Sequence, residues 1–268
     1  MTYRLMIEKG IKEMRTYFDI QYLKNSTDMQ VLDMYLPDQE GFETIIWFHG
    51  GGLEQGSRKM SKACVYAQSF VEKGYGFVSV EYRMYPDAKF PEFIEDGAAS
   101  VAYILKNISE YGGNGTVYVS GESAGAYMTM MLCMDHRYLK AVGVEQEQVK
   151  AYISDSAQQC CHFNVLRELG IDSRLERIDE HAPIYFVRGD LKIRPLLLLY
   201  YTDDIKCRPE ETKLMYASIK HVMPETVVFI KELPGKHCRM PKNQDGSLMV
   251  MNKVCEFLES DEVKNQNQ

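Results

Sequence analysis

The chain has 268 residues, 45% of them hydrophobic, which is enough to bury one large core and suits a single α/β domain spanning residues 1–268. Its formal net charge of -7 comes from 38 acidic and 31 basic residues spread along the chain, so we expect no nucleic-acid partner. No run approaches the roughly 18 apolar residues that span a bilayer, and the N-terminus is charged before a signal peptide develops. We therefore expect a cytoplasmic protein without membrane attachment, whose seven cysteines are reduced.

Apolar, β-rich runs alternate with longer amphipathic stretches along the chain. This pattern is typical of an α/β fold in which helices cover both faces of a mostly parallel sheet. A polar segment at residues 24–28 separates the first two runs and predicts an antiparallel hairpin at the edge of the sheet. The eight predicted strands are residues 18–23, 31–36, 45–48, 77–81, 117–120, 150–154, 196–201 and 227–233.

Helices are predicted between these strands at residues 61–73, 92–110, 124–134, 209–221 and 247–259, with prolines at or next to two of the helix starts. Residues 156–190 are too long and too mixed in composition for a simple connection. We predict that they form a small cap insertion over a site. Tyr185 and Phe186 of this insertion either line a substrate pocket or pack in the core.

The strongest chemical motif is GESAG at residues 121–125, which follows the apolar run VYVS and precedes a helix-forming stretch. Two glycines relieve crowding in a sharp strand-to-helix turn, and such a turn presents the hydroxyl of Ser123 above the sheet. The helix N-terminus below it favours developing negative charge. The alternative is a glycine-rich turn with a serine cap, but the flanking strand and helix favour a nucleophile.

A second motif, HGGG at residues 49–52, also follows a predicted strand. A tetrahedral intermediate needs backbone N–H donors close to its oxyanion, and glycine permits that approach. We predict that the amides of Gly51, Gly52 and Ala124 form this oxyanion hole. The glycines fit neither common phosphate-binding pattern, and His49 is expected to hold the loop rather than to act as a base.

These motifs occur in a specific order: HGGG, then EYRMYP at residues 81–86, FP at 90–91 and ED at 95–96, and then GESAG. From residue 31 to residue 258 the chain resembles the esterase branch of the α/β-hydrolases, near the hormone-sensitive-lipase-like and the bacterial feruloyl or acetyl esterase groups. The resemblance implies the α/β-hydrolase fold and a catalytic triad in the chain order serine, acid, histidine.

The resemblance also indicates where the other two triad members lie. The acid is expected after the seventh strand, where Asp203 and Asp204 are adjacent; we assign Asp204 and keep Asp203 and Asp155 as alternatives. The family glycine three residues before the acid is replaced by Tyr201, which leaves the register open. The base is expected in the loop after the eighth strand, where His237 ends the stretch FIKELPGKH.

The predicted function is that of a serine carboxylesterase acting on a small-molecule ester with a short acyl group, such as an acetyl or feruloyl ester of a carbohydrate. Neither a cofactor nor a metal is expected, because no H-E-x-x-H or C-x-x-C spacing is present. The alternatives are an amidase similar to the kynurenine formamidases and a non-catalytic ligand-binding homologue of the α/β-hydrolases. A homodimer, common among such esterases, stays open by analogy.

Overall fold

The computed structural model describes residues 14–24 and 26–265, so residues 1–13 and Asn25 of the predicted hairpin turn lie outside the described residues. All eight predicted strands are present, with ends that differ from the prediction by up to four residues; the first, predicted at 18–23, is displaced toward the N-terminus. They are β1 (Met14–Gln21), β2 (Val31–Pro37), β3 (Phe42–Phe48), β4 (Gly76–Val80), β5 (Gly113–Glu122), β6 (Val149–Asp155), β7 (Leu196–Asp203) and β8 (Val228–Lys236).

The strands form one sheet in the order β1-β2-β4-β3-β5-β6-β7-β8. Pairing is antiparallel between β1 and β2 and between β2 and β4, and parallel from β4 across to β8. The predicted edge hairpin and the mostly parallel eight-stranded sheet are therefore confirmed. Because β3, β5, β6, β7 and β8 run in the same direction, the loops after their carboxyl ends meet at one edge of the sheet.

The five predicted helices are also present, and the described residues form three further short ones. The helices are α1 (Ser61–Glu72), α2 (Glu92–Asn107), α3 (Ala124–Met134), α4 (Arg137–Ala141), α5 (Phe163–Glu168), α6 (Arg208–Val222), α7 (Met249–Leu258) and α8 (Asp261–Lys264). The predicted helix over 92–110 is shorter, because a 3₁₀ turn follows α2 and ends at Gly112 in the left-handed conformation. None of the helices in residues 14–24 and 26–265 combines the length and apolarity needed to cross a membrane.

The sheet separates two apolar clusters. Along β5, Val117 and Val119 belong to one cluster and Tyr118 to the other, because consecutive strand residues point to opposite faces. Helix α3 is buried over its whole length, which explains its apolar composition all around. It begins at the residue after Ser123, so the packed helix supports the turn that carries this residue.

The segment 156–190 contains α5 and a 3₁₀ turn over Pro183–Phe186, joined by irregular chain. Phe186 is buried in the core, whereas Tyr185 is 54% exposed. Phe186 therefore packs in the core, the second of the two alternatives predicted for these aromatic residues. A different aromatic residue of this segment, Phe163, contributes to the pocket described below.

Candidate active site

Ser123 lies in the turn between β5 and α3, with φ 51° and ψ -114°. This backbone conformation is unfavourable for a residue with a side chain and is common at functional sites. Gly125 permits the sharp turn, since a β-carbon there would overlap the carbonyl oxygen of Phe48. The Ser123 amide donates a hydrogen bond of 2.8 Å to the carbonyl oxygen of Asp155, which ties the turn to β6.

The structure brings Ser123, His237 and Asp204 together from three separate loops. His237 Nε2 lies 2.8 Å from Ser123 Oγ, and His237 Nδ1 lies 2.5 Å from Asp204 Oδ1. With the proton on Nδ1, the imidazole donates to Asp204 and leaves Nε2 free to accept from the serine. The arrangement can therefore remove a proton from the Ser123 hydroxyl.

The Asp204 side chain is fully buried, and four groups among the described residues donate to its two oxygens. Besides His237, these are the amides of Ile205 and Tyr201, at 2.8 and 3.1 Å, and the hydroxyl of Ser156 at 2.6 Å. Burial alone would raise the pKa of Asp204, but the hydrogen bonds from His237 and Ser156 outweigh it and lower the pKa. The carboxylate is thus held in its charged form.

The two alternative acids have different surroundings. Asp203, the last residue of β7, is exposed. Asp155 is buried at the end of β6, where its Oδ2 accepts from the Tyr201 hydroxyl at 3.2 Å. Burial and the nearby Glu122 carboxylate raise the pKa of Asp155 to about 8. Of the three candidates, Asp204 is the one whose carboxylate contacts His237.

Gly51 and Gly52 face the same cavity as Ser123. Gly51 has φ 124°, and a β-carbon there would overlap the carbonyl oxygen of Gln55. Among the described residues, neither the Gly51 nor the Gly52 amide donates to another protein group, so both remain available to a ligand. The Ala124 amide is at the first position of α3, where helical N–H groups lack partners within the helix.

His49 contacts the glycine loop instead of Ser123. It is fully buried and stacks on Tyr82 with ring centroids 4.4 Å apart. One ring nitrogen lies 2.7 Å from the carbonyl oxygen of Gly50 and the other 3.1 Å from Glu81. Burial opposes ionisation of Glu81, but hydrogen bonds from His49, Ser57 and Arg58 outweigh it and lower its pKa. These contacts hold the loop in place, as the sequence suggested.

A cavity of about 520 Å³ opens above Ser123 and His237. Its walls include Met60 from the start of α1, Phe163 from α5, and Ile205 from the loop after β7. Asn164 Nδ2 donates a hydrogen bond of 2.5 Å to the carbonyl oxygen of Gly52, so α5 also contacts the glycine loop. The segment 156–190 therefore forms part of the wall beside the nucleophile.

Two groups near the triad were not singled out from the sequence. Ser156 Oγ lies 3.0 Å from His237 Nδ1 in addition to its bond with Asp204. Lys62 of α1 donates at 2.6 Å both to Glu122 Oε2 and to the carbonyl oxygen of Cys238. Neither residue belongs to a local motif, because each reaches the site through the packing of distant segments.

Several donor atoms near the triad lie close enough together to hold a metal ion. Glu122, Asp155 and Cys238 each offer one ligand atom, and these atoms lie within 4.8 Å of one another. The ammonium group of Lys62 already places a positive charge at Glu122. Two other such groups occur in the described residues, one around Asp179 and one around Glu211. The expectation that no metal takes part in the chemistry stays a prediction.

The sheet order, the strained serine turn and the serine–histidine–aspartate contacts together define this chain as an α/β-hydrolase. A sequence model of the BD-FAE family matches residues 32–182, and the chain belongs to that family.

Comparisons with individual proteins agree with this assignment. The chain is 28% identical over 213 residues to a probable isoprenylcysteine alpha-carbonyl methylesterase of Oryza sativa. The matched region covers 70% of this chain and 50% of that protein. The chain thus spans about half the length of the curated relatives it matches.

Solved structures show a similar fold. Esterase B of Lactobacillus rhamnosis has a TM-score of 0.75 at 18% identity, covering 97% of this chain and 90% of that one. A truncated carbohydrate esterase from gut microbiota has a TM-score of 0.67 at 17% identity, covering 83% of this chain and 88% of that one. At these identities the likeness concerns the fold.

Proposed function

We propose that this protein is a serine carboxylesterase with Ser123 as nucleophile, His237 as general base and acid, and Asp204 as the triad acid. One observation carries the proposal: Ser123 Oγ, His237 and Asp204 form a continuous hydrogen-bonded chain, and Ser123 and His237 line an open cavity. The esterase names of the relatives and of the structural neighbours support the same activity.

The reaction proceeds in two halves. His237 Nε2 takes the proton of Ser123 Oγ as the oxygen attacks the ester carbonyl, and the same proton then passes to the departing alcohol. Water attacks the resulting acyl-serine in the second half, again with His237 as base, and releases the carboxylic acid. Asp204 stays ionised and stabilises the imidazolium that forms in each half.

Negative charge develops on the carbonyl oxygen in both halves. We assign the Gly51, Gly52 and Ala124 amides as its donors, since no described residue accepts from the two glycine amides and Ala124 begins α3. The positive end of the α3 dipole adds to this stabilisation. The three proposed donors are all backbone amides.

The substrate we propose is an ester with a short acyl group, such as an acetyl or feruloyl ester of a carbohydrate. The cavity of about 520 Å³ accommodates a small ligand, and Phe163 and Met60 offer apolar walls. Esterase B has also been solved with a tributyrin phosphonate, and a second neighbour is named a carbohydrate esterase. The seven free cysteines fit the reducing cytoplasm that we propose as its compartment.

The test is hydrolysis of a p-nitrophenyl ester series from acetate to octanoate by the wild type, Ser123→Ala and His237→Ala. We expect the short esters to be cleaved fastest and both variants to lose at least about a thousandfold in kcat. Acetylated xylan oligosaccharides, methyl ferulate and N-formylkynurenine are then assayed with the wild type to separate sugar ester, aromatic ester and amide substrates.

A fluorophosphonate probe provides a readout that does not depend on the choice of substrate. It labels an activated serine covalently, so labelling of the wild type and its loss in Ser123→Ala are both expected. Inactivity on every ester together with absent labelling would leave a non-catalytic binding protein as the better hypothesis. Activity confined to N-formylkynurenine would indicate an amidase instead.

A further inference from the structure

Ser156 is the first residue after β6, and its side chain lies against the far side of the proposed triad from Ser123. Its Oγ is 2.6 Å from Asp204 Oδ2 and 3.0 Å from His237 Nδ1. The residue is fully buried and is not among those that line the substrate cavity. It therefore contacts two triad members without reaching the space where a substrate would bind.

The proton positions at this junction follow from simple counting. Asp204 is an acceptor only, so the one hydroxyl proton of Ser156 points to Asp204 Oδ2. Toward His237, Ser156 Oγ can then only accept, which requires a proton on Nδ1. The Nδ1–H is thus shared between Asp204 Oδ1 and Ser156 Oγ, and in the neutral imidazole Nε2 is then unprotonated opposite Ser123.

The backbone holds Ser156 in an unusual conformation to make these contacts. Its φ is 59°, in the left-handed region that residues with side chains rarely adopt. Its amide donates to the carbonyl oxygen of Leu199 at 2.9 Å, and its own carbonyl accepts from buried Arg208 at 3.3 Å. Strain of this kind persists where surrounding contacts fix it, and it occurs at functional sites.

We propose that Ser156 is a positioning residue of the triad, which orients the Asp204 carboxylate and holds His237 in the Nδ1–H tautomer. The role rests on the proposed esterase function and acts through Asp204 and His237 rather than on the substrate. The hydroxyl also shields the carboxylate charge. Without it, Asp204 attracts the imidazole proton more strongly, and the uncharged base needed for catalysis forms only at higher pH.

The experiment compares Ser156→Ala and Ser156→Gly with Ser154→Ala. Ser154 is two residues earlier on β6 and equally buried, and its hydroxyl has no partner among the described residues, so it provides a matched control. We expect kcat to fall about tenfold in both Ser156 variants with KM unchanged, because charge-assisted hydrogen bonds are the strong ones. Ser154→Ala is expected to keep the wild-type kcat.

The pH profile distinguishes positioning from a purely structural role. For both Ser156 variants, the acid limb of kcat/KM is expected to move to higher pH by about half a unit. A structural role would lower the melting temperature and leave that limb in place. Ser156→Gly relieves the backbone strain while removing the hydroxyl. A fall in kcat that both Ser156 variants show is therefore caused by loss of the hydroxyl.

Failure of this role and failure of the esterase function give different results. If the fluorophosphonate probe does not label the wild type, the esterase proposal itself fails. If it labels the wild type, and both Ser156 variants keep the wild-type kcat and acid limb, the positioning role is refuted while the triad stands. A fall in kcat in the Ser156 variants that is no larger than the fall in Ser154→Ala would also refute the positioning role.

Discussion

Lys62 donates a hydrogen bond of 2.6 Å to the carbonyl oxygen of Cys238, the residue that follows His237. The same ammonium group pairs at 2.6 Å with Glu122, the residue before Ser123. A single cation from α1 thus connects the backbone beside the proposed base to the side chain beside the proposed nucleophile. The Lys62 side chain is 16% exposed and that of Glu122 is 5% exposed, so the pair is largely shielded from water.

Replacement of Lys62 by Met is expected to destabilise the fold. It leaves the buried Glu122 carboxylate without its cation, close to Asp155, and breaking such a pair costs about 3–5 kcal/mol. Urea unfolding followed by circular dichroism measures the loss. Lys59→Met is the control, because Lys59 pairs with Asp19 at an exposed site, worth under about 1 kcal/mol. Equal losses in the two variants would contradict the prediction.

Amide substitutions test the assignment of Asp204, rather than the adjacent Asp203, as the triad acid. We expect Asp204→Asn to lower kcat by roughly ten thousandfold, the scale seen when a triad acid loses its charge and the histidine tautomer is no longer held. Asp203→Asn is the neighbouring control and is expected to stay within a few fold, because Asp203 is exposed. Steady-state kinetics on p-nitrophenyl acetate decides between them, and a larger loss in the Asp203 variant would reassign the acid.

The pH dependence of the unfolding free energy is expected to reflect Asp155. Its pKa of about 8 in the folded protein lies above the ordinary value of 3.8, so the folded state holds this proton more tightly than the unfolded chain. Unfolding free energy therefore falls as pH rises from about 4 to about 8. Each unit of pKa difference corresponds to about 1.4 kcal/mol.

Asp155→Asn removes this ionisation and keeps an oxygen for the Tyr201 hydroxyl. The variant is expected to be more stable than the wild type at pH 9. At pH 5 its stability advantage over the wild type is expected to be smaller. Melting temperatures at pH 5, 7 and 9 measure the difference, and kcat is expected to stay within about tenfold. The same advantage at all three pH values would show that the Asp155 carboxyl does not titrate as described.

Gly51→Ala is expected to disrupt the glycine loop and lower kcat, because the loop has no space for a side chain at this position. A β-carbon there would overlap the carbonyl oxygen of Gln55 and displace the loop that carries two proposed oxyanion donors. Loss of one such donor costs about a hundredfold to a thousandfold in kcat. The control is Gly189→Ala, where an added β-carbon would lie an ordinary 3.7 Å from its nearest neighbour. Wild-type kcat in Gly51→Ala would argue against the oxyanion assignment.

Local sequence signals were sufficient for the strands, the main helices and the position of Ser123. Strand periodicity and apolar runs depend on neighbouring residues, and so does the crowded turn that needs Gly121 and Gly125. The glycine loop after β3 was predictable for the same reason, because it too is a local pattern of adjacent residues. The exact helix ends were less predictable, as with α2, where the chain tightens into a 3₁₀ turn before Gly112.

Tertiary structure alone decided which groups meet. Asp203 and Asp204 are adjacent in sequence, and only the turn after β7 buries one carboxylate beside His237 and leaves the other exposed. Ser156 and Lys62 follow no motif, since their contacts span 48 to 176 residues of sequence. Sequence patterns record local backbone preferences, whereas hydrogen bonds between distant loops arise only when the parallel strands bring their carboxyl ends to one edge.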